Sequence, residues 1–124
     1  MRNGQVLLGL RAPHRRSYPN RWDVLGGLVE SGETVEQALV RELGEEVGVV
    51  PLRWTLLGSM TDPRNERGAA VYHMHAVTAW SGQGPAILDD EHTRLEWFDV
   101  AAACALPDLA LDEYRPLLAR AAQA

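Results

Sequence analysis

A chain of 124 residues with 46% hydrophobic and 23% charged residues can bury one core, so a single domain spanning residues 1–124 is expected. The formal net charge of −5 argues against nucleic-acid binding, which needs a basic face, and no apolar run approaches the roughly 20 residues of a membrane span. Every one of the 12 Lys and Arg residues is an Arg, which excludes Lys-based Schiff-base chemistry and a phosphate-loop lysine.

In chain order, Gln5–Leu10 reads as a strand, followed by a turn-rich basic loop from Pro13 to Arg21. Trp22–Leu25 is a short strand ending at Gly26 and Gly27. Thr34 and Gln37 have capping-box spacing, so a helix is expected from Val35 to Val47, with Gly48 closing it. Val49–Leu52 and Trp54–Ser59 read as two extended segments, and residues 62–68 as a polar loop. Ala70–Trp80 alternates as a long strand, and Gly82–Pro85 turns the chain. Leu95–Phe98 is a short strand after the acidic loop Asp89–Glu91. The tail beyond Asp112 reads as a helix, with Pro116 tolerated near its first turn. The order implies a mixed sheet with helices packed on it. The single Cys104, in an Ala-rich run, forms no internal disulfide and reads as a packed thiol. With no signal-peptide core at the N-terminus, a cytoplasmic location is expected.

The central helix carries the chemical signal. At about 100° per residue, Glu42, Glu45 and Glu46 share one face. Val35, Ala38, Leu39 and Leu43 point to nearly the same side, so Glu42 and Glu46 fall in or beside the apolar stripe. Carboxylates in that position repel one another and are rarely left unpaired. A hard divalent cation, Mg²⁺ or Mn²⁺, would hold them. The competing reading is a solvated acidic face on which Arg41 pairs with Glu45 at i,i+4.

The surrounding pattern weighs against that second reading. Gly27-x5-Glu33-x7-Arg41-Glu42-Leu43-x-Glu45-Glu46-x-Gly48-Val49 resembles the Nudix box, GX5EX7REUXEEXGU with U apolar, at every specified position. Trp22–Gly27 is similar to the segment that commonly precedes the box, although Leu25 stands where the family often has Pro. Glu91-His92-x4-Trp97 resembles the downstream loop glutamate and the Trp-bearing strand. The resemblance implies an α/β fold, the Nudix α/β/α sandwich with a loop-helix-loop catalytic motif. It also implies Glu42, Glu45, Glu46 and the Gly26 carbonyl as metal ligands, and Glu33 and Arg41 as a pair bracing the helix start, with Gly27 beside them. Glu91 would bind metal or take a proton from the attacking water; the general base is ranked as Glu45 or Glu46, then Glu91. The implied reaction is Mg²⁺-dependent hydrolysis of a pyrophosphate bond in a nucleoside diphosphate linked to another moiety: a nucleoside triphosphate, ADP-ribose or a nucleotide sugar. The alternative is a non-catalytic nucleotide-sensing module, although such modules typically lose the box glutamates.

Other residues carry weaker signals. Arg11 and Arg21, with Arg15 and Arg16, flank the loop before the box and suit phosphate contacts, and Tyr18 could stack on a base. His73 and His75 alternate on one strand face, where a substrate contact is favoured over zinc. Most of the four Trp residues are expected in the core. Only four residues precede the first strand, where the family usually has another. Either the native start lies upstream of Met1 or the sheet edge is completed differently, for example in a homodimer. The expected partner is otherwise a small-molecule nucleotide, with neither nucleic acid nor membrane.

Overall fold

The computed structural model describes residues 1–26, 28–61 and 71–124. The polar loop expected at 62–68 and the role expected of Gly27 lie outside the described residues. Strand β1 (Gln5–Arg11) is the middle of a three-stranded sheet, flanked by β2 (Trp22–Asp23) and β5 (His92–Asp99). Both pairings are antiparallel, and an isolated Trp22–Leu109 bridge supplies a parallel component. Alternation in β1 sends Val6 and Leu8 inward, and Leu8 is only 1% exposed. The second sheet is the antiparallel pair β3 (Val49–Thr61) and β4 (Val71–Gly82). Together with its helices the chain forms an α/β sandwich.

β3 is one strand where two segments were expected. Pro51 lacks an amide proton and cannot donate to the ladder. The chain meets this by slipping register between Pro51 and Arg53 and again before Trp54, so the strand continues through the irregularity. Helix α1 (Val35–Val47) has the expected bounds because its ends are chemically specified. The Thr34 hydroxyl accepts from the Gln37 amide at 3.1 Å, and the Gln37 side chain accepts from the Thr34 amide at 2.9 Å. Gly48 closes the helix at φ 70°, the left-handed region that favours glycine, and its amide donates to the Leu43 carbonyl.

Two apolar clusters hold the layers. The larger joins Val6 and Leu8 of β1 to Leu111, Tyr114, Leu117 and Leu118 near the C-terminus. The smaller joins Leu43 and Val47 of α1 to Val49 of β3. The Ala-rich run, expected only as packed chain, coils into α2 (Val100–Cys104). Cys104 Sγ lies 3.5 Å from the Arg115 carbonyl, within the fold. Helix α3 (Tyr114–Arg120) follows, carrying Pro116 in its first turn, and a 3₁₀ turn (Ala121–Gln123) ends it. Ahead of β1 there is an Arg2–Gln5 bridge, and the Met1 ammonium donates to the Val77 carbonyl at 2.7 Å, tying this segment to β4.

Thr34→Ala removes the reciprocal cap and is expected to cost about 1 kcal/mol of stability, read from denaturant melts. An unchanged midpoint would mean that packing alone fixes the start of α1.

Candidate metal centre

The site begins with one arginine. Arg41 reaches back from α1 to Glu33, with Nε 2.7 Å from Oε2 and Nη2 3.0 Å from Oε1, a two-pronged pair. The same guanidinium donates to Glu42 Oε1 at 2.7 Å and to the Leu28 carbonyl at 3.0 Å. The loop before the helix is thereby fastened to the helix's second turn. Arg41 holds the Glu33 carboxyl below the usual carboxylate range, and these carboxylates raise the Arg41 pKa further above its already high value.

One turn further along, Glu46 is 3% exposed although it is acidic. Its Oε2 accepts from the Gly26 amide at 2.6 Å, which joins the loop to the helix a second time. Glu46, Asp89, Glu91 and His92 each offer a donor atom, and these atoms lie within 4.8 Å of one another. Burial pushes the Glu46 pKa up to about 9, and Glu42, Glu91 and Asp89 repel its charged form, against the stabilising Gly26 amide. Burial also raises Glu42, against the opposing pull of Arg41.

The glutamates expected to act together are therefore divided. Glu46 is in the cluster, and Glu42 lines the same cavity while paired to Arg41. The Glu45 side chain is 61% exposed and leans toward Arg41 Nη1 at 3.3 Å, the i,i+4 pair that the surface reading anticipated. Gly26 contributes its amide here, with φ 125°. Asp89 and His92 were not anticipated as members of the site. The concentration of donor atoms in Asp89-Asp90-Glu91-His92 was the available signal.

The expected substrate contacts are redistributed. Arg11 is 6% exposed and committed inward, to Asp23 Oδ2 at 3.0 Å and to Ser17. Tyr18 packs in the larger core cluster. Arg21 is exposed and joins Tyr18 at a small hollow of about 220 Å³ beside Pro107 and Leu109. Arg15 occupies the position nearest the carboxylates, with Nη1 3.6 Å from Glu91 Oε1. A cavity of about 750 Å³ reaches from Glu42, Glu46 and Glu91 to His73, His75 and Trp80. Trp80 stacks on Trp97 with centroids 6.1 Å apart. Burial lowers the His75 pKa, which favours its neutral ring.

Chemically, the cluster is a buried, oxygen-rich donor set of the kind that holds a hard divalent cation, at the end of a cavity of small-molecule size. Raising the Glu46 pKa from about 4.5 to about 9 penalises its charged form in the fold alone. That penalty is absent below the lower value, grows between the two, and is full above the higher. A cation relieves it but must displace the proton. Mg²⁺ should therefore raise the melting temperature more at about pH 8.5 than at about pH 6.5. Equal shifts at both values would contradict this account of Glu46.

A family profile for the NUDIX domain matches residues 1–121. The chain is 40% identical over 88 residues to an ADP-ribose pyrophosphatase of Methanocaldococcus jannaschii, covering 70% of this chain and 49% of that protein. It is 32% identical over 106 residues to a CTP pyrophosphohydrolase of Escherichia coli, covering 86% of this chain and 75% of that protein. The chain thus spans about half the length of the archaeal relative. Among solved structures, a MutT NUDIX hydrolase from Burkholderia pseudomallei superposes with a TM-score of 0.80 at 30% identity, covering 96% of this chain and 89% of that one.

Proposed function

This chain belongs to the Nudix family, and we propose that it is a divalent-metal-dependent pyrophosphohydrolase acting on a nucleoside diphosphate linked to a second moiety. The observation that carries this reading is the convergence of Glu46, Asp89, Glu91 and His92 at one end of the cavity, with Glu46 buried and repelled by its neighbours. A carboxylate so placed keeps its proton near neutral pH unless a cation takes that proton's place.

Glu42 and Glu46 on α1 are the ligands proposed first, with Asp89 and Glu91 from the facing loop and His92 at the start of β5 available beside them. Glu45 would join by leaving Arg41, and Gly26 through its carbonyl. Mg²⁺ or Mn²⁺ bound there supplies charge neutralisation for the diphosphate and a more acidic water. The protein's own contribution is orientation. Arg41 holds Glu33 and Glu42 in place, and the Gly26 amide orients Glu46. Glu91, the member of the cluster that also faces Arg15, is the residue proposed to accept the water's proton. Arg15, whose buried Nε has no hydrogen-bond partner among the described residues, is proposed to meet a substrate phosphate. The cavity takes the nucleoside, with Trp80, His73 and His75 on its wall.

The candidate substrates are nucleoside triphosphates, ADP-ribose and nucleotide sugars. The names of the archaeal and bacterial relatives support including the first two. A phosphate-release screen across these compounds assigns the class. EDTA is expected to abolish hydrolysis and Mg²⁺ or Mn²⁺ to restore it; turnover without a divalent ion would refute the mechanism. Glu46→Gln is expected to lower kcat by about 10²–10³-fold with the fold retained, the scale of losing one preorganised electrostatic group. Glu91→Gln should lower kcat by about 10²-fold or more if it is the base. An undiminished rate in that variant would return the role to another carboxylate.

A further inference from the structure

Gly9 stands in the middle of β1, opposite Leu95 of β5. A glycine in a strand interior costs roughly 0.5–1 kcal/mol relative to Ala, so its position needs a reason. The reason is the His92 ring. A Cβ on Gly9 would meet His92 Cδ2 at 2.5 Å, Cγ at 3.0 Å and Nε2 at 3.1 Å. The imidazole fills the notch left by the missing methyl group, and its side chain is only 3% exposed.

His92 is the first residue of β5, and it pairs with Arg11 where the β1–β5 register shifts. The bend just before it is held at several points. The Glu91 amide donates to Asp89 Oδ1 at 3.2 Å, and the Glu91 carbonyl accepts from the Ala12 amide at 2.8 Å. His92 Nδ1 stands 3.7 Å from the same Asp89 oxygen. Backbone bonds of this kind set where Glu91 sits only if the strand that starts at His92 is itself fixed. The seated ring is a buried anchor next to the bend.

We infer that His92 is a positioning residue, whose ring, seated in the Gly9 notch, fixes the Asp89–Glu91 bend so that the Glu91 carboxylate stays beside Glu46. This rests on the functional reading of Glu91 given above. Packing is what the ring contributes, so a flat apolar ring should do most of the same work. A Cβ on Gly9 should undo it without touching any charged group.

The test combines amide hydrogen exchange of the metal-free protein, followed over residues 87–95, with hydrolysis kinetics under saturating Mg²⁺. His92→Ala and Gly9→Ala are each expected to speed exchange in that segment about 10-fold or more while α1 exchanges as in the wild type. Both should lower kcat about 10-fold or more with KM within about threefold, and His92→Phe should recover exchange to within about threefold of wild type. If Gly9→Ala does not fold, the double variant Gly9→Ala, His92→Ala removes the collision and should match His92→Ala alone. Unchanged exchange in both single variants overturns the inference. A His92→Phe protein whose residues 87–95 exchange as fast as in His92→Ala also overturns it, since the imidazole would then hold the bend through its nitrogens. If the wild type hydrolyses no nucleoside diphosphate derivative, the enzymatic reading fails, and the exchange measurements still decide whether the notch fixes the bend.

Discussion

The site depends on keeping acidic side chains in an apolar setting without letting them scatter. Arg41 does this by distributing one delocalised charge over Glu33 and Glu42 while also binding the Leu28 carbonyl. A lysine could not reproduce it, because a point charge lacks the planar fork that grips a carboxylate with two bonds. Once the loop is fastened to α1 at this point, the Gly26 amide is carried to Glu46, one helical turn away, and the second fastening follows from the first. The loop is thus held by polar bonds from a helix whose start and stop are themselves specified by local caps.

The remaining donors come from a distant part of the chain. Asp89, Glu91 and His92 arrive because β5 pairs with β1, and β1 lies beside the strand that leads into Gly26. The charge repulsion gathered there is an unfavourable term that the rest of the fold must outweigh. Buried carboxylates that gain nothing from their surroundings are usually replaced by apolar residues at no loss of stability, which makes a retained cluster a sign of use. The Arg11–Asp23 pair is different in character. It is equally buried, but acid and base offset each other and stitch β1 to β2. Buried charge in this protein therefore takes two forms, one balanced within the chain and one gathered as like charges around Glu46.

Legibility in the sequence followed the distance over which information acts. The bounds of α1 were readable because Thr34, Gln37 and Gly48 speak for their own backbone within a few residues. β1 was readable because its alternation is local. The family resemblance rested on a contiguous pattern, so it located the acidic helix and the loop glutamate together. What was not readable depended on contacts across the chain. Arg11 and Tyr18 looked like loop residues suited to a ligand; the fold pairs Arg11 with Asp23 on the wall of the large cavity and packs Tyr18 in the core. Asp89 and His92 became part of the site only through a sheet pairing. The short α2 escaped notice because five residues carry too little periodicity, and no side chain caps its start. The gap expected at Arg53 is instead a slip of register, because whether a strand continues past an irregularity is decided by its neighbour.

The division of the strands between two sheets has a consequence for how such a protein can change. The carboxylate cluster is built from α1 and the loop that leads into β5 of the three-stranded sheet, whereas His73, His75 and Trp80 on the cavity wall belong to the β3–β4 pair. Among the described strands, no backbone ladder crosses from one sheet to the other. Side chains on that wall can therefore change within β4 without altering the β2–β1–β5 ladder. On the proposed reading, the groups that act on the bond and those that choose the molecule sit on separate pieces of backbone, and the second can be revised while the first is left alone.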